Sequence, residues 1–181
     1  AIVAILFPET GCGVLKSAFE QGTLESTPWY FTDGVRGANL STECGLGNAL
    51  DGFKGTAPGS TAGDALDAFT AAYLEEYGTE PAPYSAQAYD AIMIMAISAL
   101  ANGNTGAEIA SGLVEASGNG TACIGTGCWE LVSAGEDVDY KGASGDINLD
   151  EQGDPTASTY DVWQITSGDE ESVLKSVDFG S

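Results

Sequence analysis

The sequence contains no histidine and few basic residues, and both shortages restrict its chemistry. Among 181 residues, Lys plus Arg number 5 and Asp plus Glu number 27, so the formal net charge is −22. Without histidine there is neither a Ser-His nor a Cys-His nucleophile pair. The negative charge repels nucleic-acid backbones and anionic membranes, which excludes nucleic acid as a partner. The acids are scattered along the chain, which favours a solvated surface suited to high salt.

Long apolar runs and phosphate-binding loops are also missing. The longest apolar segment, residues 91–101, is too short to cross a bilayer and is predicted to be a buried helix, so we expect no membrane insertion. No Gly-Lys-Ser/Thr motif is present, and Gly11 and Gly13 lack the third glycine of a dinucleotide fingerprint. We therefore predict no cofactor.

The cysteines predict disulfide bonds rather than a metal site. Zinc would need the thiolates of Cys12, Cys44, Cys123 and Cys128 together, and two of these are isolated in the sequence. Cys123 and Cys128 bracket a glycine-containing loop that can close a small ring, which leaves Cys12 to pair with Cys44. If both bonds form, the protein lies outside the reducing cytosol.

A calcium loop is the other metal site to weigh. Residues 146–150 have the Asp-x-Asn-x-Asp order of such a loop, but Glu151 occupies the position of its glycine and Ala157 that of its final glutamate. A turn in which Asp and Asn side chains accept backbone N–H groups is the better interpretation. We predict no metal.

The first twenty residues predict a strand, a turn with a carboxylate, and a helix. Residues 1–7 are continuously apolar, which is typical of a strand covered on both faces of a parallel sheet. Pro8 ends the strand, and the following residues lead into a helix. Glu9 is thereby placed at the carboxyl end of a parallel strand, where open α/β sheets bind ligands.

The remainder of the chain alternates predicted strands and helices, which indicates an α/β fold. Residues 29–32 form a second strand parallel to the first, closed by an Asp33-Gly34 turn. Helices are predicted over 62–77, 85–101, 105–117 and 128–133, with Thr105 as the cap of the third. Further strands are predicted over 53–56, 147–149, 160–166 and 172–177, with a loop at 118–127. The helix over 85–101 is apolar nearly all round, so we expect it to be packed on several sides, with Met93 and Met95 as core residues rather than metal ligands.

Four segments in this order resemble the trailing half of type I periplasmic substrate-binding proteins. They are Phe7–Gly11, Trp29–Gly34, Tyr84–Leu100 and Tyr140–Asp154. The resemblance is to the branch of leucine/isoleucine/valine-binding proteins of ABC transporters. It implies an α/β fold of Rossmann-like lobes, present here in part and joined by crossover segments that let the lobes close on a ligand.

The resemblance also implies a division of the chain between the lobes. Residues 1–36 would belong to the carboxyl-terminal lobe, residues 37–157 to the amino-terminal lobe, and residues 158–181 would return to the first. The hinges would be residues 34–39 and 155–159, with Gly34, Asn39 and Pro155 absorbing the rotation.

The function implied is binding without chemistry, so we expect no enzyme. Glu9 would take the ammonium group of an amino acid or similar small polar solute in the cleft between lobes, through a charge-assisted hydrogen bond. Phe7 and Asp33 would lie near the same cleft. The implied partner is an ABC permease, and the implied location is periplasmic or extracellular, with a lipid anchor on the full-length protein as one form.

The leading half of the family's chain has no counterpart here, so half of each sheet would be missing and its strand edges exposed. We expect a fragment that binds ligand poorly, or an assembly completed by the missing half or by a second copy. The alternatives are a ligand-sensing module of the same fold, a glycosidase using Glu9 and Asp33 as paired carboxylates, and a structural α/β domain without a small ligand.

Overall fold

The computed structural model describes residues 1–180, and their contacts divide the chain into two units. Unit 1 consists of Ala1–Pro58 and Tyr160–Val177, and unit 2 of Gly59–Thr159 with the segment that starts at Asp178. The helices are α1 (Pro8–Glu20), α2 (Thr23–Ser26), α3 (Leu40–Glu43), α4 (Asp64–Tyr77), α5 (Ser85–Asn102), α6 (Gly106–Ala116) and α7 (Gly127–Ser133). The strands are β1 (Ile2–Ala4), β2 (Trp29–Phe31), β3 (Lys54–Pro58), β4 (Thr121–Cys123), β5 (Val138–Tyr140), β6 (Ala157–Ser167) and β7 (Glu170–Gly180).

Unit 1 is built on a mixed sheet with the strand order β1-β2-β3-β6-β7. Strands β1, β2 and β3 are parallel, as predicted for the first two, and β6 runs antiparallel to β3. Trp163 on β6 is fully buried, and the ring of Phe31 on β2 stacks beside it at 6.3 Å between centroids. Helix α1 covers this core with Leu15, which is also fully buried.

The prediction of a strand covered on both faces over residues 1–7 is wrong. Strand β1 spans only Ile2–Ala4, and Pro8, predicted to end the strand, is instead the first residue of α1, a position where its missing N–H costs nothing. In the described chain β1 is the edge of the sheet and one of its faces is uncovered, so Val3 and Ile5 are 70% and 75% exposed.

The segment between β2 and β3 belongs to unit 1. A disulfide joins Cys12 of α1 to Cys44, directly after α3, with their Cα atoms 5.0 Å apart. Leu40 and Leu50 enter the same core as Leu15. The contact boundary lies after Pro58 and not at residue 36, because the disulfide and these buried leucines hold the segment against α1, and the assignment of residues to lobes stays a prediction.

Unit 2 packs helices α5, α6 and α7 around the parallel pair β4–β5. Helix α6 begins at the predicted cap, since Thr105 and Glu108 exchange hydrogen bonds in a capping box. A disulfide joins Cys123 to Cys128, so both predicted disulfides are present. The predicted loop over 118–127 instead contains β4, and the predicted strand at 147–149 is reduced to a bridge between Leu149 and Pro155.

Helix α5 is packed less completely than predicted, and Met95, predicted to be a core residue, is not one. Met93 and Ile97 are buried in the core of unit 2, but Ile92 is 62% exposed and Met95 is also exposed. Within residues 1–180, unit 2 contributes only a small sheet, and nothing there covers this side of the helix. None of the described helices combines the length and hydropathy needed to span a membrane.

Candidate functional site

The ends of strands β1 and β2 meet in unit 1. A Cβ at Gly34 would lie 2.5 Å from the backbone oxygen of Leu6 and 2.9 Å from Cε1 of Phe7, so only glycine permits this approach. The backbone oxygen of Phe7 accepts hydrogen bonds from the N–H groups of Thr10 and Gly11, at 3.2 and 2.7 Å. Phe7 is therefore the N-cap residue of α1, with its backbone fixed by these hydrogen bonds, while its ring remains exposed.

The predicted acidic residues follow these two strands. Glu9 lies in the first turn of α1 and is exposed, a location that the positive end of the helix dipole favours for a carboxylate. Asp33 begins a single 3₁₀ turn directly after β2 and is also exposed. The structure thus brings Phe7 and Gly34 into contact and places Glu9 and Asp33 after neighbouring parallel strands.

A basic side chain that sequence reasoning missed lies beside these strand ends. Arg36 pairs with Asp161 of β6, with Nη2 and Oδ2 3.0 Å apart, and it donates from Nη1 to the carbonyl of Pro58 at 3.3 Å. Asp161 also accepts from Ser176 at 2.6 Å. Because both charges are largely buried and mutually satisfied, Arg36 has little capacity left for an anionic ligand.

Glu171 adds a further carboxylate to the same unit. Burial raises the pKa of Glu171, while a hydrogen bond from the N–H of Gly37, 3.0 Å away, and the charge of Arg36 oppose that rise in pKa. Glu171 directly precedes the strand predicted over 172–177, and its partner Gly37 is too distant in sequence to infer.

The residues predicted as hinges occupy separate places. Gly34 and Asn39 lie inside unit 1, where Asn39 has a left-handed backbone with φ of 49° directly before α3. Pro155 lies in unit 2 and bridges Leu149. The chain passes between the units after Pro58, Thr159 and Val177. A hinge role for Gly34, Asn39 and Pro155 stays a prediction.

Unit 2 contains one buried carboxylate with a complete set of partners. Asp90 is 2% exposed and accepts from the Tyr140 hydroxyl at 2.7 Å and the Ala143 N–H at 2.8 Å. Ser144 donates to it from both N–H and Oγ, at 2.7 and 2.6 Å. A Cβ at Gly142 would lie 2.5 Å from Asp90 Oδ2, so glycine lets this loop close around the carboxylate. Asp90 is therefore a positioning residue that fixes residues 142–144.

The acidic turn at 146–154 is stabilised by hydrogen bonds from its own backbone N–H groups to the side chain of Asp150. Asp150 accepts from the N–H groups of Gln152 and Asp154 at 2.9 and 3.0 Å, and Asp146 pairs with Lys141 at 2.6 Å. The interpretation as a turn with side chains that accept backbone N–H groups is confirmed for Asp150.

Comparison with known proteins agrees with this architecture, which is that of a ligand-binding α/β protein. The family described as "receptor family ligand binding region" matches residues 1–168, and the chain belongs to this family. No curated protein matches the chain.

Solved structures show the same fold, that of type I periplasmic binding proteins. A leucine-binding protein from Thermotoga maritima has a TM-score of 0.71 and 21% identity, over 97% of this chain and 43% of its own. A branched-chain amino acid transporter substrate-binding protein from Streptococcus pneumoniae, in complex with isoleucine, has a TM-score of 0.67 and 17% identity, over 99% of this chain and 44% of its own. The chain thus spans less than half the length of these proteins.

Proposed function

We propose that this chain is part of an extracytoplasmic solute-binding protein that delivers an amino acid or a similar small polar solute to an ABC permease. The observation that carries the proposal is the placement of Phe7, Glu9 and Asp33 after the neighbouring parallel strands β1 and β2. Membership of a ligand-binding family and the fold shared with amino-acid-binding proteins support it. The same observations favour binding without catalysis.

The charges at the strand ends favour a ligand with an ammonium group. Glu9 and Asp33 are exposed carboxylates, and the basic side chain beside them, Arg36, is already paired with Asp161. A carboxylate facing an ammonium group forms a charge-assisted hydrogen bond, which is roughly twice as strong as a neutral one. We assign the ammonium contact to Glu9 first and to Asp33 second, with Phe7 packing against the ligand.

We also propose that the partner of this chain is a further protein segment, either the remainder of a longer chain or a second copy. Both named structures are more than twice as long as their matched parts. Apolar residues that such a segment would cover are exposed in each unit separately: Val3 and Ile5 in unit 1, and Ile92 in unit 2. The isolated chain is therefore expected to bind solute weakly, and calorimetry that finds full-strength binding by the chain alone would overturn this expectation.

The test of solute binding uses isothermal titration with a panel of amino acids, leucine and isoleucine included, on the longest natural form of the protein. Removing a charge-assisted hydrogen bond costs about 1.5–3 kcal/mol, so Glu9→Gln or Asp33→Asn should weaken binding by roughly ten- to a hundred-fold. Glu20→Gln, an exposed change at the other end of α1, is the matched control and should bind as the parent does. Unchanged affinity in both site variants would refute the proposal.

A further inference from the structure

Two tripeptides in the sequence have the form Asn-x-Ser/Thr with no proline between: Asn39-Leu40-Ser41 and Asn119-Gly120-Thr121. This form is the acceptor for N-linked glycosylation in proteins exported from the cytosol, and it must lie at the surface to be used. From the sequence alone, the two tripeptides are equally good candidates for glycosylation. Their surroundings in the folded chain differ.

The first tripeptide is locked into unit 1. Leu40 and Ser41 are 3% and 2% exposed. The Ser41 hydroxyl donates to the carbonyl of Gly168 at 2.6 Å, and its N–H donates to Asp169 at 2.8 Å. A modifying enzyme has to engage the hydroxyl of the third residue as well as the asparagine, and in the folded chain that hydroxyl is out of reach.

The second tripeptide lies on the surface of unit 2, where α6 leads into β4. Asn119 and Thr121 are both exposed, and Asn119 has a left-handed backbone with φ of 71°. Asn119 also borders a depression of about 470 Å³ whose other polar lining residues are Ser117, Asp139 and Asn148. Ser117 is only 1% exposed and its hydroxyl already donates and accepts hydrogen bonds, so the lining offers carboxylate and amide groups to the hydroxyls of a first sugar.

We propose that Asn119 is a site of N-linked glycosylation and that Asn39 is not. In the reaction, Nδ2 of Asn119 forms a bond to the anomeric carbon of a sugar carried on a polyisoprenyl phosphate or pyrophosphate. The bond between that carbon and the phosphate oxygen breaks, the lipid phosphate leaves, and the amide nitrogen loses one proton. The proposal rests on the extracytoplasmic location in the proposed function and is independent of the solute.

The experiment treats the folded chain, its disulfides intact, with an oligosaccharyltransferase that accepts Asn-x-Thr and with its lipid-linked sugar donor. Peptide mass spectrometry then locates the glycan. We expect the glycan on Asn119, its complete loss in Asn119→Gln and in Thr121→Ala, and no change in Asn39→Gln. The Thr121→Ala variant retains Asn119. Loss of the glycan in this variant therefore shows that the enzyme requires the whole tripeptide and not only the asparagine.

A synthetic peptide with residues 116–124 in the same reaction shows that the enzyme is active. A modified peptide alongside an unmodified folded chain, or a glycan on Asn39 of the folded chain, would overturn the proposal. Glycan occupancy is measured by mass spectrometry, and solute binding is measured by calorimetry. A failure of the glycosylation proposal is therefore distinguishable from a failure of the proposed function.

Discussion

At the scale of single residues, the core of unit 1 depends on a glycine that accepts an indole ring. Gly55 on β3 is paired with Trp163 on β6, and a Cβ at position 55 would lie 2.4 Å from Cζ2 of that ring. The ring is fully buried and packs beside Phe31, so it has no room to withdraw. Glycine usually weakens a strand, and here it is required by the close approach of the ring.

We predict that Gly55→Ala destabilises the protein by about 1–3 kcal/mol, the usual cost of overpacking a core. Gly13→Ala is the matched control, because Gly13 lies inside α1 with nothing within 4 Å of an added Cβ. That change should stabilise the protein by roughly 0.5–1 kcal/mol through helix propensity. Urea unfolding measures both, and equal midpoints for the two variants would contradict the packing argument.

The buried pair of Tyr140 and Asp90 gives a second prediction at this scale. Tyr140→Phe removes one donor from a buried carboxylate, which costs about 1–3 kcal/mol. Tyr77→Phe removes a hydroxyl from an exposed ring and should leave stability unchanged. Urea unfolding at neutral pH of the two variants and the parent tests this directly.

The same pair makes stability depend on high pH. Burial, with help from Asp90, raises the pKa of Tyr140 above that of an unfolded tyrosine. The folded chain therefore binds more protons than the unfolded chain above pH of about 10, so stability contributed by this tyrosine is lost as pH rises through that range. Tyr140→Phe should lose less stability over the same range, and parallel slopes would exclude this role.

At the scale of elements, the turn of the β6–β7 hairpin is hydrogen-bonded to α3. Asp169 accepts from the N–H groups of Ser41 and Thr42 at 2.8 and 3.1 Å, and the N–H of Gly168 donates to Asp51 at 2.9 Å. A helix of four residues is not stable by itself, so these bonds satisfy its first amides and hold it in place.

We predict that Asp169→Ala selectively loosens α3. Amide hydrogen exchange at Ser41 and Thr42 should become faster, while Glu170→Ala, an exposed change in the same hairpin, should leave it unaltered. Hydrogen bonds from Thr42 and Ser41 lower the pKa of Asp169, so its stabilising effect is present above pH of about 4 and is lost as pH falls through the lowered folded pKa. Equal exchange rates in the two variants would show that the turn does not hold α3.

Local patterns predicted most of these elements. The cap at Thr105, the turn at Asp150 and the parallel pair of β1 and β2 each rest on residues close in sequence or on the order of elements. Strand β4 was missed because Thr-Ala-Cys has neither alternation nor length. The exposed side of α5 was missed because the apolar pattern of a helix does not show whether the residues that would cover it belong to the same chain.

In the candidate site, too, the residues that local patterns identify were predicted and those that depend on distant partners were not. Glu9 and Asp33 were found because each directly follows a predicted strand. Arg36 and Asp161 are separated by 125 residues, and no local pattern pairs them. Asp90 belonged to a recognised segment, but its role depends on a loop 53–54 residues further on, which only folding brings together.

At the scale of the whole molecule, the excess of carboxylates is the dominant electrostatic feature. Lys141 is already shared between Asp139 and Asp146, at 2.8 and 2.6 Å, and Arg36 is paired with Asp161. With 5 Lys plus Arg against 27 Asp plus Glu, most carboxylates have no basic side chain to pair with. Folding concentrates these charges, so mutual repulsion opposes the folded state unless mobile cations screen it.

We therefore predict that stability rises steeply with salt. The screening length falls from about 10 Å at 0.1 M to about 3 Å at 1 M salt, so the midpoint of thermal unfolding should increase between these concentrations in both NaCl and KCl. A variant with amides in place of Glu75 and Glu76, two exposed acids in the last turn of α4, isolates the charge effect from any general effect of salt on apolar burial. This variant should be more stable than the parent at low salt and show a shallower dependence. A midpoint that is independent of salt in the parent, or identical slopes in parent and variant, would mean that the acidic surface does not limit folding.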